Sequence, residues 1–305
     1  MDFLKNSQNK ILVCIPAYNA EDCLSDTIKS ILCQTFKQFD ILVIDNQSDD
    51  KTIEVAQKIK RDFDEENKIY IIKNRENLGR IGNWNKCIEI FRQTRHPYLK
   101  LMVTGDTLEK RCLEKLLNIF NNNPSLGIVS SGYYVHTSKN KIEKKNSFEK
   151  SAYFAPSDAL KAFIQKGNWI GSFISCMFSR KSIEEINFSE GFEWTADWKL
   201  YIDIVKKFDS FYINELLSNF YALRRKYYIK HNNTPASRAE ELFVAHYALQ
   251  KLEDLNPSIA KNFRKDLHKI EGRHLFQNLS LFDIGALTAF KLAKHLKNIF
   301  KSNSF

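Results

Sequence analysis

The chain contains no run of eighteen uncharged apolar residues, so no segment of it is expected to span a bilayer as a helix. Its opening stretch, MDFLKNSQNK, has neither an apolar h-region nor a small-residue cleavage site, and no secretory signal is read there. Paired cysteines are missing too: Cys14, Cys23, Cys33, Cys87, Cys112 and Cys176 are scattered, with no CxxC. That argues against a disulfide framework or a zinc site and for free thiols in a reducing cytosol. No GxGxxG follows the first apolar run and no GxxxxGKS or GxxxxGKT occurs, which disfavours both common phosphate-binding glycine loops. A phosphate-bearing ligand would then be neutralised by other means, and a metal held by carboxylates is the evident route. Signatures of RNA-recognition motifs, zinc fingers and helix-turn-helix modules are also missing. No nucleic-acid partner is therefore expected, although a net charge of +10 favours anionic partners in general.

What is present suffices for a sizeable core, with 43% hydrophobic and 13% aromatic residues in 305. Over the first half, short apolar runs alternate with amphipathic stretches. The runs are KILVCIPAY (10–18), FDILVIDN (39–46), KIYIIKN (68–74), PYLKLMVTGD (97–106) and LGIVSSGYYV (126–135). Short, β-branched or aromatic, and apolar on both faces, they suit buried parallel strands. Leu24, Ile28, Ile31 and Leu32 recur at helical spacing, with Asn19 the expected cap and Asp22 near the positive end of the dipole. Further helices are expected over 49–61, 82–92 and 109–121, and the alternation argues for a parallel α/β sheet. Residues 137–150, TSKNKIEKKNSFEK, read as an exposed loop. A helix near 157–166, a strand near 173–179, a helix over 197–207 and a short strand at 210–216 follow, and the pattern from 235 onward is helical.

In an open parallel sheet, ligands gather beyond the carboxyl ends of the strands. Those ends read Pro16-Ala17-Tyr18-Asn19, Asp45-Asn46-Gln47-Ser48-Asp49-Asp50, Asn74-Arg75-Glu76-Asn77 and Thr104-Gly105-Asp106. Such residues also make ordinary turns and caps. Asp106 in particular has two readings, a cap for the helix that follows or a holder of charged ligand.

The segment ILVCIPAYNAEDCLSDTIKSILCQTFKQFDILVIDNQSDDKT resembles the opening of the family 2 glycosyltransferases of GT-A fold. NLGRIGNWNKCIE resembles that family's Asn-x-Gly segment, YLKLMVTGDTLEKRCLEKL its strand ending in an aspartate-rich metal motif, GFEWTADWKLYIDIVKKF its Glu-Asp helix, and YINELLSNFYALR its tail. The likeness runs in order over about residues 10–225. It implies a nucleotide-diphospho-sugar transferase domain over 1–225, a mostly parallel Rossmann-like sheet flanked by helices, with a helical extension over 226–305. It further implies inverting transfer from a nucleotide-diphosphate sugar to a hydroxyl of a glycan or lipid-linked acceptor, with Mn²⁺ or Mg²⁺, in bacterial surface polysaccharide synthesis such as capsule, O-antigen or lipooligosaccharide.

By the same resemblance Pro16, Ala17, Tyr18 and Asn19 would line the base pocket, and Asp45 would accept hydrogen bonds from base or ribose with Asn46 nearby. Asn77, Gly79 and Asn85 would shape the phosphate side. Thr104, Gly105 and Asp106 match the metal motif, in which Asp106 alone could ligate, and Asp197 matches the general base. Two departures stand out: Gly105 replaces the penultimate aspartate, and Ala196 replaces the usual Glu before Asp197. They leave open a weakly active or inactive homologue that binds nucleotide sugar or glycan.

Other candidates each carry two readings. Trp194 and Trp198 are walls around Asp197 and sugar-stacking surfaces, or core residues. Trp169 and Ser172 contact sugar or acceptor, or pack internally. Arg224, Arg225 and His231 hold the diphosphate, or are solvated surface. Beyond Asp283 no acidic residue occurs. Over 284–305, Leu292, Leu296 and Ile299 gather on one helical side and Lys294, Lys297 and Lys301 on the other. Either this is an interfacial helix on an anionic membrane, which would make the protein peripheral on the inner face of the cytoplasmic membrane, or the apolar side packs on residues 235–280.

Overall fold

The computed structural model describes residues 10–64, 66–138, 141–224, 234–261 and 263. Its strands are β1 (Ile11–Ala17), β2 (Phe39–Asp45), β3 (Ile69–Lys73), β4 (Tyr98–Leu101), β5 (Thr107–Leu108), β6 (Leu126–Ser138), β7 (Lys141–Lys145), β8 (Ala152–Phe154), β9 (Cys176–Ser179) and β10 (Asp209–Tyr221). The helices used below are α1 (Leu24–Leu32), α2 (Thr52–Phe63), α3 (Gly79–Arg92), α4 (Cys112–Asn122), α5 (Pro156–Lys166), α6 (Ala196–Val205) and α7 (Pro235–Leu255).

The strands form one sheet in the order β3-β2-β1-β4-β9-β6-β10-β5, with β7 beside β6 and β8 beside β10. The β3-β2-β1-β4 half is parallel throughout. β9 then enters antiparallel between β4 and β6, and β6 pairs with β10 in parallel. The sheet is thus mostly parallel but mixed. Every residue of β2 is buried, whereas β3, at the edge, is only partly so.

Side-chain alternation along a strand sorts the apolar runs onto two faces. Leu12, Cys14, Leu42 and Ile44 point to one side, where α3, α5, α6 and α7 contribute Phe91, Phe163, Leu200 and Leu252. Ile11, Val13, Ile41 and Val43 point to the other, against Ile28 of α1, Ile59 of α2 and Leu116 of α4. Because Val244, Ala248, Leu249 and Leu252 of α7 share the first of these cores, packing is continuous across the position where the sequence suggested an extension begins. Thr234 caps α7, its side chain accepting the Ser237 N–H ahead of Pro235 at the first helical position.

Several expectations need correction. Asn19 is not a helix cap: it lies at φ 47°, and α1 starts only at Leu24, with Asp26 rather than Asp22 in its first turn. Within the run 97–106 only β4, ending at Leu101, is strand; the Asp106 N–H then turns back to the Val103 carbonyl, and β5 follows the run. The stretch 137–150 is not all loop, since Lys141–Lys145 forms β7 antiparallel to β6. The strand foreseen at 210–216 extends to Tyr221.

Lys100, the one charge in the apolar run YLKLMV, is fully buried. Its Nζ donates to the carbonyls of Phe173, Ile174 and Cys176 at 2.8, 2.8 and 3.0 Å, and burial pushes its pKa below the ordinary lysine value. The amine thereby fastens β4 to the turn that leads into β9. Lys100→Met leaves three buried carbonyls without this donor, and urea unfolding should show a loss of roughly 1–3 kcal/mol.

Candidate functional site

The ends of β1 and β2 are laced together by side-chain-to-backbone hydrogen bonds. Asn19 N–H donates to Ser48 Oγ (2.9 Å) and Asn19 Oδ1 accepts from Asp49 N–H (3.0 Å). Ala20 N–H reaches Thr52 Oγ1 and Glu21 N–H reaches Asp50 Oδ2, while Lys51 N–H returns to Glu21 Oε2. Pro16 and Ala17 are the last two residues of β1, and Tyr18, which follows them, is 47% exposed. An exposed aromatic ring on a loop held this firmly is a ready stacking surface.

Asp45 is fully buried, and its carboxylate accepts both the N–H and the Oγ–H of Ser48, closing a tight turn. Asn46 donates to Asn77 Oδ1 (2.8 Å) and to the Gly79 carbonyl (3.1 Å), while its own Oδ1 accepts from Asn74 Nδ2 and Leu78 N–H. An amide side chain offers two donor hydrogens and two acceptor lone pairs. All four are occupied, so Asn46 is scaffold for the loop before α3, and Asn77, whose Oδ1 also takes Gly79 N–H, completes it. Gly79, at φ 70°, opens α3 in a conformation that favours glycine. Asn85 departs from its expected role: both ends of its amide grip the backbone of Phe188, at 2.8 and 3.0 Å, holding the chain that leads to α6.

Beyond β4, Thr104 is half-buried, Gly105 lies at φ 90°, and Asp106 is fully buried. Thr27 of α1 clips this loop, its Oγ1 accepting Gly105 N–H and donating to the Asp106 carbonyl, both at 2.9 Å. Asp106 Oδ1 accepts Tyr221 N–H at 2.9 Å, tying the loop to the end of β10. Arg224 follows there. Its guanidinium donates to the Gly105 carbonyl (3.1 Å), pairs with Asp26 (3.0 Å) and lies over the Tyr221 ring. A carbon added to Gly105 would stand 3.2 Å from Arg224 Cδ. Among the described residues no three His, Cys, Asp or Glu side chains gather as a metal cage. Asp106 is the carboxylate of this loop that could hold a divalent cation. A carboxylate has lone pairs on two oxygens, and such a group fits a magnesium- or manganese-type ion drawing further ligands from phosphate oxygens and water.

Asp197 lies in the first turn of α6, half-buried, with Oδ1 accepting Trp198 N–H at 3.0 Å. Burial pushes its carboxyl up to about 7; the Arg80 guanidinium draws it back down and the Glu240 carboxylate adds to the rise. Arg80, at the start of α3, also donates to the Glu193 carbonyl. α3 begins where β3 delivers the chain, so this contact brings Asp197 to the carboxyl edge of the sheet, the edge that carries the lacing and Asp106.

The two tryptophans beside Asp197 differ. Trp194 is half-buried with its indole N–H on Glu241 Oε1 at 3.1 Å, and Trp198 packs against the core. Trp169 takes its internal reading: it is 1% exposed, donates to the Ala159 carbonyl, and packs on Phe148, Phe154 and Phe163. The Ser172 carbonyl accepts both the N–H and the Oγ–H of Ser175, which forms the turn before β9. Arg225, His231 and the segment 284–305 lie outside the described residues. Sequence reasoning missed Arg80, Thr27 and Glu240. Arg80, directly after Gly79 in the Asn-x-Gly segment, carried the only local signal.

The sequence model of the family described as glycosyl transferase family 2 matches residues 12–187. Among similar proteins, a Campylobacter jejuni GalNAc(5)-diNAcBac-PP-undecaprenol β-1,3-glucosyltransferase is 25% identical over 96% of this chain and 86% of its own length. An uncharacterised protein of Mycobacterium tuberculosis is 29% identical over 56% of this chain, and the match spans only 54% of that relative. Among solved structures, residues 1–349 of S. aureus TarS with UDP-GlcNAc align with a TM-score of 0.72 at 14% identity, over 96% of this chain and 81% of that one. That likeness bears on the fold, which is the α/β architecture of GT-A glycosyltransferases. The family model takes in more than half the chain, including the strands that build the carboxyl edge, and on that ground the chain belongs to glycosyl transferase family 2.

Proposed function

We propose that the protein transfers a glycosyl group from a nucleoside-diphosphate sugar to a hydroxyl of a glycan or lipid-linked acceptor, with inversion, in building a bacterial surface polysaccharide. The observation that carries this reading is Asp197: a carboxyl with a pKa of about 7, at the edge where the nucleotide-side loops converge. A general base works best when its pKa lies near the operating pH, because it is then both available and basic enough to take a hydroxyl proton. One base and one displacement invert the anomeric centre. The relative named as acting on an undecaprenol-linked glycan and the neighbour crystallised with UDP-GlcNAc support these classes of acceptor and donor.

In this reading the Tyr18 ring and the lacing of Asn19 with Ser48 and Asp49 receive the base, and Asp45 orients the turn beneath it. Arg224 brings a fixed positive charge to the Gly105–Asp106 loop, where a leaving diphosphate would gain negative charge. Asp106 would hold the divalent cation, which when bound neutralises that same developing charge. Asp197 accepts the acceptor's proton while Arg80 keeps the carboxylate from becoming too weak an acid. The segment 284–305 would bring the protein to an anionic membrane carrying the acceptor.

Four outcomes test these assignments. Asp197→Asn should reduce transfer by at least about a thousandfold, while nucleotide binding measured calorimetrically stays within roughly twofold; retained turnover would remove Asp197 as base. For the native protein, kcat/KM should fall about tenfold per pH unit below roughly 7, because Asp197 must be ionised to act. The stability effect has the opposite sign. A carboxyl whose folded pKa exceeds its unfolded one loses stability as pH rises between the two, so Asp197→Asn should melt higher than the native protein at pH 8, with a smaller gap at pH 5. For the membrane segment, flotation with liposomes rich in anionic lipid should recover the full chain and lose a chain lacking 284–305; equal recovery would discard that role.

A further inference from the structure

We propose that Glu240, on α7, is a positioning residue that sets both the place and the proton affinity of Asp197; the inference rests on the reading of Asp197 as the base. Glu240 is 1% exposed, and its carboxylate gathers donors from three consecutive residues just ahead of α6. Oε1 accepts Glu193 N–H at 2.9 Å; Oε2 accepts Trp194 N–H at 2.8 Å, Thr195 N–H at 2.9 Å and Thr195 Oγ–H at 3.2 Å. Thr195 stands at the N-cap position of α6 yet makes no side-chain bond to the helix. The carboxylate of a remote helix thus orders the three residues that lead into α6 through their own N–H groups. The neighbouring Glu241 adds a second latch through the Trp194 indole.

The same segment is held from the opposite side, where Arg80 of α3 donates to the Glu193 carbonyl. Residues 193–195 are therefore clamped between α3 and α7, and Asp197 follows two residues later. The clamp's two charges also face Asp197, Arg80 stabilising its ionised form and Glu240 opposing it. The other titratable groups facing it are Cys176 of β9 and Tyr201 of α6 itself, both held neutral because burial raises their pKa. Among these groups Glu240 supplies the negative charge. Removing its charge makes Asp197 a stronger acid and a weaker base, whereas a residue that only shaped the loop would leave the proton affinity where it was.

The test reads Asp197 directly and needs no substrate. In full-length protein labelled with carboxyl-¹³C aspartate, the resonance missing from Asp197→Asn identifies the group, and its titration gives the midpoint. Glu240→Gln is expected to lower that midpoint by roughly 0.5–1 pH unit. An unchanged midpoint in a folded Glu240→Gln protein would overturn the proposal. Should Glu240→Gln not fold, Glu240→Asp keeps the charge but shortens the reach. Amide hydrogen exchange over 193–195 should then quicken at least tenfold while the midpoint stays raised, and unchanged exchange would overturn the clamp. Turnover retained by Asp197→Asn would sink the base assignment alone, leaving the titration result in force, so the two failures are distinguishable.

Discussion

A carboxyl group withdrawn from water is the constraint on which the rest of this site depends. Ionising Asp197 where it stands is unfavourable because solvent no longer stabilises the charge, and the molecule balances that penalty between a cation and an anion rather than cancelling it. Arg80 comes from α3 and Glu240 from α7, so the acid's character is set by how three helices pack on one face of the sheet. The apolar contacts that hold those helices, among them Phe91, Leu200 and Leu252, therefore bear on chemistry as well as on stability. Had α7 been a loosely attached appendage, this balance would have no fixed geometry.

At the other strand ends the polar residues face mainly one another. Asn46, Asn74, Asn77 and Asn83 form a connected set of amides, and Ser48, Asp50 and Thr52 take up N–H groups from the loop after β1. Loops built in this way lose little freedom when a ligand arrives, since their backbone is already ordered. The surface offered to a ligand is then chiefly ring faces, backbone and a few charges rather than amide side chains.

Much of this was legible from the residues. The runs ILVCIPA and FDILVID announced central strands because they are apolar on both faces, and the motif order over 10–225 announced the fold. Asp197 and Asp106 were found by their motif positions. What could not be read depended on partners distant in the chain. Nothing local in YLKLMV says that Lys100 meets three carbonyls at the entry to β9, nor does a helix carrying AEELFVAHY say that its first glutamate holds the residues leading into another helix. Asn85 was misjudged for the same reason: an asparagine one helical turn past a glycine reads the same whether it faces a phosphate or grips Phe188. The hairpin at β7 was hidden because its exposed strand carries lysines on both faces and shows no apolar alternation.

The geometry at Gly105 bears on the departure from paired aspartates. Its left-handed backbone is disfavoured for a side-chain-bearing residue, and any β-carbon there would press on the aliphatic stem of Arg224. An acid placed at 105 would thus strain the loop and crowd the arginine together. Positions 105 and 224 are in contact, and a side chain at 105 would have to be accommodated by a shift of the arginine stem.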